Sequence, residues 1–265
     1  MSRAAIMEFR NTRNTAALDA QIQKLKLQAT GSKPPLSEDE VSMLLYFRKI
    51  ELMVMVQYAK EISKMPSYMD ADIREFSRAW EYEETRHGVA IQEYLRVHGH
   101  IFEPLTNQNV DWKYLLRTWR MILASWWYWY SSPAVHMLVG LFNEVTAKAG
   151  YWAYMQHTSD PELRKIISLI QSEELRHLTF YQNKCLELIG DSKRKREKVS
   201  KLAKFAWQPV GSGNGDIKLF AELLLKKSDV AEGFFRQIEK RIEVMKKQLP
   251  EISDLIVRDL RTLAN

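Results

Sequence analysis

The sequence predicts an all-α protein, and three observations support this fold class. The chain of 265 residues contains only 10 glycines and 8 prolines. Its long segments repeat apolar residues at the three- and four-residue spacing of an amphipathic helix. A hydrophobic content of 46% in a chain of this length is enough to bury a core. Together these observations favour one helical core with small additions at its ends.

Two helical hairpins are predicted after an N-terminal arm, which covers residues 1–36 and is expected to be loosely helical. The four hairpin helices are predicted at residues 38–64, 71–97, 133–157 and 161–190. Ser37 suits the N-cap of the first helix, where its hydroxyl can accept from a free backbone N–H. Pro161 suits the first position of the fourth helix, and His98–Gly99 is a suitable stop for the second.

The connections define how the hairpins are joined. Short turns are predicted at residues 65–70 and 158–161, whereas residues 100–131 form a long crossover that contains its own helix. Two hairpins joined by one long crossover give the ferritin-like connectivity of a four-helix bundle, here residues 37–190. Residues 191–265 are expected to form a basic linker and further C-terminal helical segments.

Composition limits the compartment and the partners. The single cysteine excludes an intrachain disulfide and any cysteine-based zinc or iron–sulfur site, so a cytoplasmic location is expected. The first residues lack the apolar run of a secretory signal. A net charge of +6 favours acidic partners. A nucleic-acid partner is not expected, because no recognisable binding module accompanies the charge.

Two copies of one short motif indicate a metal site. EETRH (83–87) and EELRH (173–177) each hold a Glu-x-x-His pair, namely Glu84 with His87 and Glu174 with His177. Residues three apart project from one helix face, and both pairs lie on stripes that are otherwise apolar. One such pair on a helix is common and carries little meaning. Two buried pairs, however, need a compensating charge, which a metal cluster provides.

The other two helices should each contribute one carboxylate to such a site. Glu51 and Glu84 lie equally far from the turn at 65–70, so they should be level in an antiparallel hairpin. Glu144 and Glu174 are nearly symmetric about the turn at 158–161, whereas Glu61 has no such match with Glu84. Four carboxylates and two histidines favour iron or manganese over zinc or magnesium.

At these two helices the chain resembles a known family. RAWEYEETRHGVAIQEYLRVHG (78–99) and SEELRHLTFY (172–181) are similar to the metal-binding helices of soluble acyl-(acyl carrier protein) desaturases. The resemblance implies that the six residues that bind the irons are Glu51, Glu84, His87, Glu144, Glu174 and His177. Around them it places the first acid of each motif and three further side chains, namely Glu83, Glu173, Arg86, Arg176 and Trp80.

Some of these assignments have alternatives. Arg86, Arg176 and Trp80 could equally serve in packing or on a solvated helix face. Where the family has a threonine three residues after the third-helix glutamate, this chain has Ala147, and Thr146, as the nearest hydroxyl, is the candidate for a role beside the metal ligands.

The resemblance implies an O2-dependent di-iron oxidase that desaturates a fatty acyl chain on an acyl carrier protein. Two iron ions would be the cofactors, with manganese as an alternative at one site. A ferredoxin-type protein is expected to donate the electrons, and the chain is expected to form a homodimer. The alternatives are another outcome on the same core (hydroxylation, C–C cleavage or N-oxidation of a fatty acid, aldehyde or amine) and a ferritin-type ferroxidase.

Two surface features have open interpretations. A basic segment could bind an acidic carrier protein or electron donor, or could simply be a solvated helix end; it contains Lys193, Arg194, Lys195, Arg196 and Lys198. The aromatic run Trp126–Tyr130 is expected to pack the crossover against the bundle or a second subunit. A substrate channel and a membrane surface are its other interpretations.

Overall fold

The protein is an all-α bundle, as a computed structural model shows for residues 4–55, 60–102, 112–207, 216–251 and 261. The α-helices are α1 (Ala4–Thr12), α2 (Ala16–Lys26), α3 (Glu38–Lys49), α4 (Ala71–Val97), α5 (Trp112–Trp127), α6 (Ser132–Met155), α7 (Pro161–Ile189), α8 (Lys193–Ala206), α9 (Asp216–Leu224) and α10 (Ser228–Lys246). A π-helical segment (Ile50–Met55) continues α3, and a 3-10 turn (Pro66–Met69) precedes α4. The described residues contain no β-strand.

The helix ends follow the predicted capping residues. Ser37 and Glu40 form a reciprocal capping box at the start of α3. Asp160 accepts from two backbone N–H groups at the start of α7, with Pro161 in the first helical position. Gly99 follows the C-cap residue of α4, and its φ of 95° is the positive value with which many helices end. Local sequence therefore sets the bounds of the long helices.

Two antiparallel hairpins form the core. The π-helical segment and α3 pack on α4, α6 packs along α7, and α4 meets α7 between the two pairs. The buried apolar side chains form one continuous cluster that runs through all these elements. This arrangement brings the middles of four helical segments together, which is where both Glu-x-x-His motifs lie.

The first bundle helix differs from the prediction. A continuous α-helix was expected over residues 38–64, but α-helical geometry ends at Lys49 and π-helical geometry follows over Ile50–Met55. A π-helical turn contains more residues than an α-helical turn and is frequent at functional sites. Glu51 lies within it, so this irregularity determines where the Glu51 carboxylate points. Residues 56–59 of the expected helix lie outside the described residues.

The ends of the chain pack on the bundle. The N-terminal arm is not loose, because α1 packs on α7 and α2 on α4, with Ile6, Leu18 and Leu25 fully buried. The basic stretch after α7 is helical rather than a linker, because it forms the first half of α8. Helices α8 and α10 pack against α6. A further helical segment expected near the C-terminus falls mostly on residues 252–260 and 262–265, outside the described part.

The crossover contains the predicted helix, α5, and most of its aromatic end faces away from the bundle. Trp127, Trp129 and Tyr130 are all exposed, and within the described residues the run meets the bundle at Trp126, whose Nε1 donates to the Lys64 carbonyl. Packing of the run against a second subunit stays a prediction. Within the described residues, no helix combines the length and apolarity that a membrane span requires.

Candidate metal centre

Six acidic and imidazole side chains converge in the interior of the bundle. The π-helical segment supplies Glu51, α4 supplies Glu84 and His87, α6 supplies Glu144, and α7 supplies Glu174 and His177. Each is exposed by 2% or less. The turn-symmetry argument therefore selected acids that do lie with the histidines. Glu61, which that argument rejected, pairs instead with Lys64 at 2.9 Å.

The six residues form two overlapping groups. One group contains Glu51 and His87, the other contains Glu144 and His177, and both contain Glu84 and Glu174. Within each group one ligand atom per residue lies within 4.8 Å of all the others. Glu84 and Glu174 are shared by the two neighbouring groups, so they would lie beside both ions of a bound pair.

The inward-facing atoms of the cluster fit a cation. Seven of them form no hydrogen bond among the described residues: Glu51 Oε2, Glu84 Oε1, His87 Nδ1, Glu144 Oε2, both Glu174 oxygens and His177 Nδ1. His177 Nδ1 lies 3.0 Å from Glu84 Oε1, yet the two are not oriented to bond. Each buried polar atom without a partner costs about 1–3 kcal/mol. Metal ions among these atoms would satisfy all of them, so the residues present fit a metal centre.

The electrostatics of the cluster lead to the same conclusion. Burial raises the pKa of Glu51 well above its ordinary value, and the neighbouring Glu84 carboxylate raises it further. Burial likewise raises the pKa of Glu144, with the Glu174 charge as the next cause. Four carboxylates this close cannot all be ionised without counter-charge. Two divalent cations would balance four carboxylates, whereas without them the cluster has to hold protons, as the raised pKa values of Glu51 and Glu144 indicate.

The first acid of each motif, Glu83 or Glu173, binds the histidine of the other motif. His177 Nε2 lies 2.9 Å from Glu83 Oε2, and His87 Nε2 lies 3.0 Å from Glu173 Oε2. Because Nδ1 of each ring faces the cluster, Nε2 carries the proton and donates it to the carboxylate. Such a bond fixes the tautomer and the orientation of a metal-binding histidine. The pKa of Glu83 is lowered to about 2, because the bonds from His177 and Arg13 outweigh the effect of burial.

The motif arginines continue this crossed pattern. Arg86 donates to Glu173 Oε2 at 3.1 Å, and Arg176 donates to Glu83 Oε2 at 3.3 Å. Each arginine thus binds the acid that holds a histidine in place. Neither arginine therefore lies on a solvated helix face, which was one of the alternatives that the sequence left open.

The N-terminal arm supplies a further layer that the sequence analysis missed. Arg13 Nε donates to Glu83 Oε1 at 2.6 Å. Asp19 Oδ1 accepts from Arg86 Nε at 2.6 Å, and the Thr15 carbonyl accepts from Arg86 Nη2 at 2.6 Å. These partners are about seventy residues from the motif in sequence. No local spacing in the sequence links them to it.

Two aromatic side chains hold the other two acids. Trp80 Nε1 donates to Glu144 Oε1 at 3.0 Å, so Trp80 has a polar role in addition to packing. The Tyr151 hydroxyl donates to Glu51 Oε1, and its ring stacks on Phe47 with centroids 4.3 Å apart. Each of these acids therefore has one oxygen bonded to the protein and one that faces the cluster.

Thr146, the hydroxyl nearest to the family's threonine position, is bonded within its own helix. Its Oγ1 lies 3.1 Å from the Phe142 carbonyl and 2.8 Å from the Asn143 carbonyl, and donates to this pair. Back-bonding of this kind is usual for threonine inside a helix. The predicted role of Thr146 beside the metals has no support in these contacts.

The basic segment lies on α8 and is only partly unpaired. Arg196 bonds Glu251 at 3.2 Å, and Lys195 donates to the Leu188 carbonyl. Lys193, Arg194 and Lys198 are exposed. The docking role expected for this segment stays a prediction.

The fold and the site together define a class: helical bundle proteins with a buried carboxylate–histidine cluster that could hold metal ions. A family model described as fatty acid desaturase matches residues 51–196, more than half of the chain, and this chain belongs to that family. The matched region includes all six clustered residues. No curated protein sequence matches the chain significantly. Membership supports an oxidoreductase with desaturase-like function.

Proposed function

We propose that this protein is an O2-dependent, non-haem di-iron oxidase that desaturates a fatty acyl chain carried on acyl carrier protein. The observation that carries the proposal is the set of seven buried ligand atoms that face one another without hydrogen-bond partners. Family membership gives the reaction class. Glu84 and Glu174 belong to both groups of candidate ligands, so the six residues would hold two ions rather than one.

Glu51, Glu84, His87, Glu144, Glu174 and His177 would hold the metals. Carboxylate-rich sites with two imidazoles suit iron, and manganese could replace it at one position. Bound iron would supply the reduction of O2 and the oxidant that removes hydrogen from an unactivated C–H bond. The protein supplies geometry, charge balance and a dry environment for that chemistry.

The residues around the ligands keep that geometry fixed. Glu83 and Glu173 accept the Nε2 protons of His177 and His87, so both rings present Nδ1 to the cluster. Phe76 stacks on Phe180 with centroids 3.9 Å apart, and the Phe76 ring packs edge to face on His177 with centroids 6.0 Å apart. Such apolar walls exclude water from the centre, which strengthens every electrostatic interaction inside it.

The substrate and the electron donor follow from the family and the charge. The net charge of +6 suits two acidic proteins, an acyl carrier protein and a ferredoxin-type donor. We propose a homodimer by family resemblance and a cytoplasmic location from the cysteine content. Hydroxylation, C–C cleavage or N-oxidation on the same centre is distinguished by the product.

Single-turnover product analysis tests the reaction. The protein is loaded anaerobically with ferrous iron and supplied with reduced ferredoxin and a saturated fatty acyl chain attached to acyl carrier protein. It is then exposed to O2. The proposal predicts an acyl product lighter by two hydrogens. A product that has gained oxygen or lost carbon would replace desaturation with an oxygenase outcome.

Two variants link the product to the site. Glu84→Ala should abolish both iron binding and product formation. Glu81→Gln, one turn earlier on α4 and partly exposed, is the matched control and should retain both. Iron oxidation without any change in the acyl chain would favour the ferroxidase alternative.

A further inference from the structure

Helix α5 turns an apolar stripe toward solvent. Trp119, Leu123, Trp126 and Trp127 recur at the spacing that places residues on one helix face, and all four are exposed. Ile122, one turn from both Trp119 and Trp126, lies at the edge of this stripe and is buried. An apolar stripe at helical spacing normally faces the core. Here the stripe is free to contact something outside the chain.

The exposed surface continues past the end of α5. Tyr128, Trp129 and Tyr130 are also exposed, and Trp127 is 82% exposed. We call Trp119, Leu123 and residues 126–130 the aromatic ridge. Single exposed apolar side chains are ordinary, but seven large ones in one contiguous region mark an interaction site.

The ridge is held in place rather than loosely attached. Trp126 Nε1 donates to the Lys64 carbonyl at 2.9 Å. Trp129 and Tyr130 pack edge to face with ring centroids 6.0 Å apart. A preorganised surface loses little side-chain entropy when it binds.

Lysines border the ridge. Lys195 Nζ lies 4.9 Å from the Tyr130 ring centroid, and Lys198 Nζ lies 5.4 Å from that of Tyr128. On the other side Lys64 Nζ lies 5.7 Å from the Trp119 centroid. Two further cations of α8, Lys193 and Arg194, are exposed. Tryptophan and tyrosine rings are therefore flanked by cations.

We propose that the aromatic ridge binds the surface of an anionic lipid bilayer. Tryptophan and tyrosine are the side chains that prefer the headgroup level of a bilayer, because one end of each is apolar and the other is polar. Flanking lysines reach the lipid phosphates while their stems lie along apolar surface. The ridge combines both features on a single amphipathic helix end, the arrangement of an interfacial contact.

Charge argues against a second copy of the chain as the occupant. A two-fold contact through the ridge would place the same lysines of both copies in one contact region, where like charges repel. An anionic bilayer instead attracts all of them. The binding surface does not depend on the metal chemistry, since its residues are separate from the six clustered side chains.

Co-sedimentation with vesicles tests the proposal on the full chain. Wild-type protein should sediment with vesicles of phosphatidylcholine and phosphatidylglycerol, and much less with phosphatidylcholine alone. Trp127→Ala/Trp129→Ala should weaken binding at least about tenfold, and Lys193→Glu/Lys198→Glu should also weaken it. Leu27→Ala and Lys165→Glu, at exposed positions outside the ridge, are the matched controls. Circular dichroism should show unchanged helix content.

Three results would overturn the proposal. The first is an absence of wild-type binding to either kind of vesicle. The second is equal binding by the ridge variants and the controls. The third is size-exclusion chromatography in which the wild type is a dimer and the tryptophan variant a monomer, which would make the ridge a subunit interface.

Discussion

The Nε2 atom of His177 lies 2.9 Å from Oε2 of Glu83, an acid that belongs to the opposite Glu-x-x-His motif. The reciprocal bond joins His87 to Glu173 at 3.0 Å. Each motif thus positions the histidine of the other, so neither half of the site is complete alone. This crossed arrangement makes the acid beside each ligand as informative to test as the ligand itself.

Removing the charge of Glu83 should weaken iron binding without unfolding the protein. Glu83→Gln keeps the shape but replaces a carboxylate that holds the Nε2 proton of His177 with a neutral amide. Outer partners of metal ligands typically contribute about 10–100-fold in affinity, and a loss of that size is expected in anaerobic titration against a chelator. Glu81→Gln should leave the affinity unchanged. Equal iron affinities for the two variants would show that Glu83 does not influence iron binding.

The N-terminal arm should contribute to the same affinity by a smaller amount. Arg13→Ala removes the cation that bonds Glu83 Oε1, which should reduce iron affinity by about threefold to tenfold, less than a direct partner of the histidine. The stability loss should stay below about 1 kcal/mol, because Arg13 is partly exposed. Chelator competition and thermal unfolding measure the two effects.

Arg10→Ala is the matched control for Arg13. Arg10 lies in the last turn of α1, three residues before Arg13, but pairs with the partly exposed Glu75, away from the histidines. If both variants lower iron affinity equally, the effect comes from general destabilisation of α1 and the specific role of Arg13 is wrong.

A methyl group at Gly88 should disturb the π-helical segment. A Cβ there would lie 2.3 Å from Leu52 Cγ and 3.1 Å from Glu51 Cβ, so the segment must move. Overpacking of this kind costs about 1–3 kcal/mol, and the displaced Glu51 should lower iron affinity as well. Thermal unfolding and titration of Gly88→Ala check both. An unchanged affinity would mean that the position of Glu51 is not critical.

The buried His136 should make stability depend on pH. Burial lowers its pKa to about 4, below the ordinary value of about 6.5. The unfolded chain therefore takes up a proton before the folded protein does. Stability from this group is complete above about pH 6.5 and falls as the pH drops toward 4, by up to about 3 kcal/mol.

Urea unfolding at several pH values measures that loss. His136→Gln should flatten the profile between about pH 6.5 and 4, whereas His100→Gln, at a partly exposed position, should not. A profile for His136→Gln that is as steep as the wild type would assign the pH dependence to other groups.

Much of the fold was predictable because local signals fix helix ends. Asp160 with Pro161 and the capping box of Ser37 determine where α7 and α3 begin. The acids of the cluster were predictable for a related reason. Antiparallel helices joined by a short turn bring Glu51 level with Glu84, and apolar stripes turn both motifs inward.

The features that were not predictable depend on tertiary contacts. The π-helical turn at Ile50–Met55 has no local sequence marker. Arg13 reaches Glu83 across seventy residues, a relationship that no periodicity encodes. The outward orientation of Trp127 also depends on how α5 rotates against the bundle, which sequence spacing leaves undetermined.

The number of irons bound per chain decides whether the six clustered residues form a di-iron centre. Wild-type protein and Glu174→Ala are loaded anaerobically with ferrous iron, desalted and analysed for iron per chain. We expect close to two irons per chain for the wild type and a near-complete loss of iron for Glu174→Ala, because Glu174 belongs to both ligand groups. Wild-type protein that folds but retains one iron or none, or a Glu174→Ala variant that retains two, would contradict a di-iron centre at these six residues.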